Sequence, residues 1–165
     1  MATAATYPAP VCTLCLVLAH TGCRLSEALA LTAADIDPQR GLVAIRCLKK
    51  RGETVIREVP VPPLFIRQLR RAHAAAFRAV ESGRLWPWGR TRAWQLVKAV
   101  MRATGLSGLP ATPKGLRHAF GVHAVLSGVP LPLLQKWLGH ADIATTVIYT
   151  DIVGREEIRA ARRMW

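Results

Sequence analysis

At 165 residues the chain is of one-domain size, and with 51% hydrophobic against 20% charged residues it has the apolar content to build a core, which excludes a disordered chain. Lys and Arg number 23 against 10 Asp and Glu, a net charge of +13 in which arginine dominates; such an excess repels itself unless an anionic partner offsets it, and nucleic acid is the leading one. No helix pairs a basic cluster with an apolar face as membrane-surface binding asks, and the N-terminal apolar run of about a dozen residues falls short of the ~20 that span a bilayer, so the expectation is a soluble cytoplasmic protein, nucleoid-associated, with no membrane partner.

In chain order, residues 9 to 20 are apolar almost all round, which predicts a buried helix. Cys12 and Cys15 lie inside that run with no second cysteine or histidine pair to complete four ligands, so the thiols read as buried and reduced and no metal is expected. Gly22 ends the helix, and Leu25, Ala28, Leu29 and Leu31 recur at helical spacing, predicting a second, short helix with Ser26 and Glu27 near its start. Residues 35 to 41 carry turn chemistry. GLVAIRCL and ETVIREVPV, separated by KKRG, predict an antiparallel hairpin with a basic tip. Pro60, Pro62 and Pro63 end it, and one long arginine-dotted helix is predicted over residues 63 to 81.

A tryptophan-bearing loop over residues 83 to 89, a helix near 91 to 104 and a Gly/Pro-rich connection, GLSGLPATP, come next. From Lys114 the pattern is helical in short pieces bounded by Gly or Pro: KGLRHAFGVHAVLSG, PLPLLQKWLGH, ADIATTVIYT and GREEIRAARRMW. The expected fold class is mainly α with a small antiparallel β-sheet (α+β), organised as one domain over residues 1–165.

LGHADIATTVIYT places His140 and Tyr149 nine residues apart in a chain with one other tyrosine, Tyr7. A tyrosine is usually a core residue; as a nucleophile on a DNA phosphodiester it needs help losing a proton from a phenol of pKa about 10. The phosphorus gains negative charge as it is attacked, which calls for planar bidentate donors, and the departing oxygen needs a proton. Arg24 in TGCRLSE, Arg117 in TPKGLRHAF at the opening of a helix, His140 after Gly139, and Lys49 and Lys50 at the hairpin tip fit those needs. Each has a plainer role when taken alone: an Arg24–Glu27 helix pair, a solvated hairpin tip, a helix-end histidine, a core tyrosine. Trp86, Trp88 and Trp94 read as core or loop anchors before base-stacking groups, and His118 and His123, five apart, as structural. Arg46, Arg57, Lys50 and Arg51, on and beside the hairpin, are the expected DNA-binding set.

Taken together, TGCRLSEALALTAADID, LKKRGETVIREVPVP and KGLRHAFGVHAVLSGVPLPLLQKWLGHADIATTVIYT resemble the catalytic domain of the tyrosine recombinases, the phage-integrase family, over residues 10 to 152. The resemblance implies catalytic roles for Arg24, Lys49, Lys114, Arg117, His140 and Tyr149. Arg24 and Arg117 match the family's two arginines, Glu27 the acidic residue of R-x-x-E, His140 the phosphate-binding histidine and Tyr149 the nucleophile of a 3′-phosphotyrosyl bond. Lys49 resembles the general acid on the 5′ oxygen, with Lys50 the adjacent alternative.

The family usually has histidine three residues before the second arginine, where this chain has Lys114. The family also carries an N-terminal helical domain that clamps the other face of DNA, and nothing before the catalytic block matches it, so a catalytic domain alone is expected. The implied partner is double-stranded DNA, with a homo-tetramer in the synaptic complex, a monomer as an isolated domain, and no metal or nucleotide cofactor. GREEIRAARRMW resembles the segment such enzymes pass to a neighbouring protomer. The rival readings are a type IB topoisomerase-like enzyme and a DNA-binding protein of the same fold without catalysis.

Overall fold

The structure, a computed structural model, describes residues 7–48, 54–79, 83–108, 110–140 and 144–148. Helix α1 (Ala9–Thr21) starts on prolines, which suit a first turn because their missing N–H has no partner there, and ends at Gly22 in the left-handed conformation (φ 61°). Its Val11, Leu14, Val17 and Leu18 are buried, and α3, α5 and α6 pack around it, so it is the central post of the domain. Helix α2 (Leu25–Ala30) follows at once. A single 3₁₀ turn (Ala33–Asp35) then leads into β1 (Ile36–Asp37), a two-residue strand in the stretch expected to be turn only.

Strands β2 (Leu42–Leu48) and β3 (Thr54–Pro60) form the predicted antiparallel hairpin, and the sheet runs β1-β2-β3. Register pairs Val43 with Val59, Ile45 with Arg57 and Arg46 with Ile56. Because side chains alternate faces, Val43, Ile45, Arg57 and Val59 point inward, whereas Arg46 and Ile56 are exposed.

The helix expected over residues 63 to 81 is instead two, α3 (Pro63–Ala72) and α4 (Ala74–Arg78). The break falls at His73, whose backbone leaves the helical region (φ −121°, ψ 33°). There its Nε2 lies 2.9 Å from Thr13 Oγ1 of α1 and its ring meets Trp86 edge-on at 5.1 Å, so tertiary contacts override helix propensity. Trp86 is fully buried and its Nε1–H donates to the Pro10 carbonyl at 2.8 Å, which makes the tryptophan loop an anchor against the start of α1. Trp88 packs half-buried on the same core; Trp94 stays exposed with Lys98 Nζ 4.8 Å from its ring centroid.

Helix α5 (Arg90–Ala103) accepts the Tyr7 hydroxyl at the Ala99 carbonyl (3.1 Å), so this tyrosine is a structural tie. Helix α6 (Pro113–Leu126) is capped by Thr112, whose hydroxyl accepts the Gly115 N–H at 3.1 Å. Helices α7 (Leu131–Leu138) and α8 (Ala144–Val147) complete the described chain. Ala124, Leu134 and Leu138 form a small second core between α6 and α7, which Phe120 joins to the main one. His118 and His123, read as structural, are exposed on α6. Lys49, Lys50, Arg51, Tyr149 and the segment GREEIRAARRMW lie outside the described residues. No helix among the described residues is long and apolar enough to cross a membrane.

Candidate active site

Two helices end side by side, and an arginine ties the ends together. Helix α1 stops at Gly22 and α7 stops at Gly139, both in the left-handed conformation that glycine adopts without cost. A helix C-terminus leaves carbonyls without intrahelical donors and carries partial negative charge. Arg117, buried on α6, meets both ends: Nη1 donates to the Gly22 carbonyl at 2.8 Å and Nη2 to the Leu138 carbonyl at 2.9 Å. Close approach is what requires the glycine at position 22, since a Cβ there would sit 2.9 Å from Leu138 and inside the Phe120 ring. Arg117 lies just past the first turn of α6, near the helix opening expected for it, and two helix closings hold its guanidinium.

Arg24 stands two residues past Gly22 as the N-cap of α2. Its backbone N–H donates to Glu27 Oε2 (2.7 Å) and its Nη1 to Glu27 Oε1 (2.9 Å), while half of the side chain remains in solvent. The same carboxylate receives Arg57 Nη2 at 2.6 Å and Nη1 at 3.3 Å. Burial pushes the Glu27 carboxyl up, but the hydrogen bonds and charge of Arg57, joined by Arg24, outweigh it and hold the group below its ordinary value.

Arg57 therefore is not on a DNA-facing surface. It is 3% exposed, and besides Glu27 it donates Nε to the Trp137 carbonyl (2.7 Å) and Nη1 to Cys47 Sγ (2.8 Å). Strand parity puts it on the inner face with Ile45 and Val59, and once buried it must be paired. It joins β3, β2, α2 and the last turn of α7, two residues before Gly139, whose absent Cβ leaves room for Arg57 Nη1.

His140 follows Gly139, half-buried, with Nδ1 3.0 Å from the hydroxyl of Thr146, a fully buried residue of α8. Burial, then the charges of Arg117, Arg24 and Arg57, lower its pKa to about 4, so the ring is neutral at pH 7. The geometry agrees, since Arg117 bonds the carbonyl of Gly22, two residues before Arg24, and that of Leu138, two residues before His140. A neutral imidazole offers one donor and one acceptor nitrogen, and Thr146 engages Nδ1.

Lys114 is exposed in the first turn of α6, one turn before Arg117. Arg46, exposed on β2, pairs with Asp35 at 2.9 Å. Arg24, Arg117 and His140 are thus brought together. Cys12, Cys15, Cys23 and Cys47 are free thiols; burial, then Cys12, pushes Cys15 up to about 12, and burial pushes Cys23 up to about 11. Among the described residues no group of His, Cys, Asp or Glu is arranged to hold a metal ion. One contributor was given another role from the sequence and one was not singled out. The inward place of Arg57 was legible from strand parity; Thr146, one of two adjacent threonines between Ala144 and Val147, showed nothing by itself of its contact with His140.

Known proteins share this arrangement of elements. The crystal structure of XerA recombinase superposes with a TM-score of 0.78 at 23% identity, covering 98% of this chain and 60% of that one. XerH site-specific recombinase bound to difH substrate, a pre-cleavage complex, gives 0.75 at 24% identity, covering 95% and 47%. In sequence, tyrosine recombinase XerA of Pyrococcus furiosus is 30% identical over 158 residues, 90% of this chain and 52% of the relative. Tyrosine recombinase XerC of Rhodospirillum centenum is 35% identical over 147 residues, 79% and 39%. The chain spans about half the length of such relatives or less. The phage integrase family model matches residues 1–154, nearly the whole chain, and the chain belongs to the phage integrase family.

Proposed function

We propose that the chain is the catalytic part of a DNA strand transferase, a site-specific recombinase that cuts and rejoins duplex DNA through a tyrosine. The observation that supports this most is the convergence of Arg24, Arg117 and His140, two cations and a neutral donor–acceptor ring, at the meeting of three helices. Arg24 and Arg57 share the Glu27 carboxylate, and Arg117 rests on main-chain carbonyls, so the cluster carries an excess of positive charge. A phosphodiester whose charge grows during attack suits such a site. In this reading the Tyr149 phenol gives its proton to solvent as its oxygen bonds to phosphorus, the bond from phosphorus to the 5′ oxygen breaks, and that oxygen leaves with a proton from Lys49. Arg24, Arg117 and His140 bond the non-bridging oxygens, and Lys114 adds charge at the rim. The bond energy is kept in the phosphotyrosine, so the reverse step rejoins the strand without a metal or nucleotide. Four copies on paired sites form the assembly in which strands exchange.

The test uses nicked duplexes from a randomised pool, in which the cut fragment diffuses away and traps the intermediate. A covalent protein–DNA adduct that disappears in Tyr149→Phe supports strand transfer. Intact DNA binding without an adduct at any pH from 5 to 9 identifies a binding module instead. Relaxation of a supercoiled plasmid by the monomer favours the topoisomerase-like alternative.

A further inference from the structure

Away from the Arg24–Arg117 cluster, α3 and α4 frame an open hollow of about 370 Å³ lined by Arg67, Arg70, Arg71 and Arg78, with Ala74 and Phe77 completing it. The arginines recur at helical spacing on the exposed side of a helix pair whose other side, Phe65, Ile66 and Leu69, is core. Among the described residues none of the four guanidiniums is in an ion pair, whereas Arg24, Arg40, Arg46 and Arg57 each have a carboxylate. Two arginines at the end of α3 gain from that helix's negative end, but Arg67 lies more than a turn earlier. Like charges this close repel, and an anion relieves them.

We propose that this hollow is a second phosphate-binding surface, which holds the backbone of duplex DNA away from the cleavage pocket. Helix α1 measures the separation. Phe65 of α3 meets His20 near the Gly22 end (ring centroids 5.2 Å apart), and His73 meets Thr13 nearer the opposite end. Thr13 to Gly22 is about 13.5 Å at 1.5 Å per residue, so the part of the hollow beside His73 is set back by about that distance along α1 from the carbonyl that holds Arg117. Arg67 to Arg78 spans about 16 Å by the same rise, comparable with the roughly 17 Å of helix axis over which one DNA strand climbs five nucleotides, and exceeds what one small anion fills. All four cations are arginines, whose planar fork bonds two phosphate oxygens at once.

The proposal rests on duplex DNA being the partner. Its test is the salt dependence of binding of the full chain to a duplex of unrelated sequence, read by fluorescence anisotropy. Replacing Arg67→Gln, Arg70→Gln, Arg71→Gln and Arg78→Gln together removes about 0.9 from the log–log salt slope for each phosphate no longer neutralised, a total of about 2 to 4. Affinity at moderate salt falls at least about tenfold. Should the quadruple variant not fold, the pairs Arg67/Arg71 and Arg70/Arg78 are each expected to give about half that change. Slopes and affinities equal to wild type in variants of unchanged thermal stability overturn the proposal. So does polyglutamate that binds wild type and not the variant while DNA binding is equal, because the hollow then serves an acidic protein. A shallower slope in the variants when even the wild-type chain forms no adduct on nicked DNA supports this surface and counts only against the cleavage reading.

Discussion

Arg57 and Arg40 show how burial decides what an ion pair is worth. The exposed Arg40–Glu58 pair, bidentate at 2.9 and 3.0 Å, is screened by water and contributes little. Arg57 and Glu27 are almost wholly buried; without Arg57 the Glu27 carboxylate keeps only half-exposed Arg24, and without Glu27 the Arg57 charge has no carboxylate, a loss of up to about 3–5 kcal/mol. Arg57→Met is therefore expected to lower the unfolding free energy by that amount in urea titrations, and Arg40→Ala to leave it close to wild type. Equal effects would refute the distinction. Its place on the basic hairpin put Arg57 in the expected DNA-binding set; the alternation of TVIREVPV already aligned it with Val59 on the inside.

At His140 the sign of the pH effect follows from burial. Its folded pKa of about 4 lies below the ordinary 6.5, so between those values the unfolded chain binds the proton and the folded one does not. Its contribution to stability is present above pH 6.5 and is lost as the pH falls toward 4. An anion in the pocket opposes the three arginine charges, so a nicked duplex is expected to raise the His140 pKa; an NMR titration with and without DNA that shows no upward movement contradicts the phosphate site. Thr146→Val keeps the shape and deletes the hydroxyl that faces Nδ1. It is expected to slow adduct formation about ten- to hundredfold, with Thr146→Ser close to wild type.

Among the elements, those with a strong periodic pattern and a punctuating glycine or proline were readable: α1, α2, the β2–β3 hairpin, α5, α6 and α7. Misreadings fell where distant contacts rule. The pattern over residues 63 to 81 is helical throughout, yet His73 leaves the helix to meet Thr13 and Trp86, partners 60 and 13 residues away in sequence. Strand β1 is only Ile36–Asp37, held by pairing with Val43 and Leu42, too short for any alternation to show. Gly139 joins element to site, because its left-handed φ of 66° turns the chain from α7 toward His140 and its Cβ position is occupied by Arg57. Gly139→Ala is expected to cost about 1–3 kcal/mol in denaturation and to reduce adduct yield by displacing His140. Wild-type stability in that variant would show that Arg57 yields freely.

For the molecule as a whole, a charge of +13 on 165 residues pointed to a polyanion before any fold was considered. Arg24, Arg117 and His140 stood out in the sequence because their residue types answer one chemical need in one order. How they meet was not: the two carbonyls that hold Arg117 come from Gly22 and Leu138, 116 residues apart, and nothing local in the sequence pairs helix ends. The central claim is that this convergence serves a tyrosine that bonds to DNA. Its most direct measurement is mass spectrometry of the peptide that carries DNA after a nicked duplex traps the intermediate. The account predicts a phosphodiester-linked nucleotide on Tyr149, absent when Arg117 is replaced by alanine. DNA linked to Tyr7 or to any other residue, or an adduct of wild-type yield in Arg117→Ala, would contradict it.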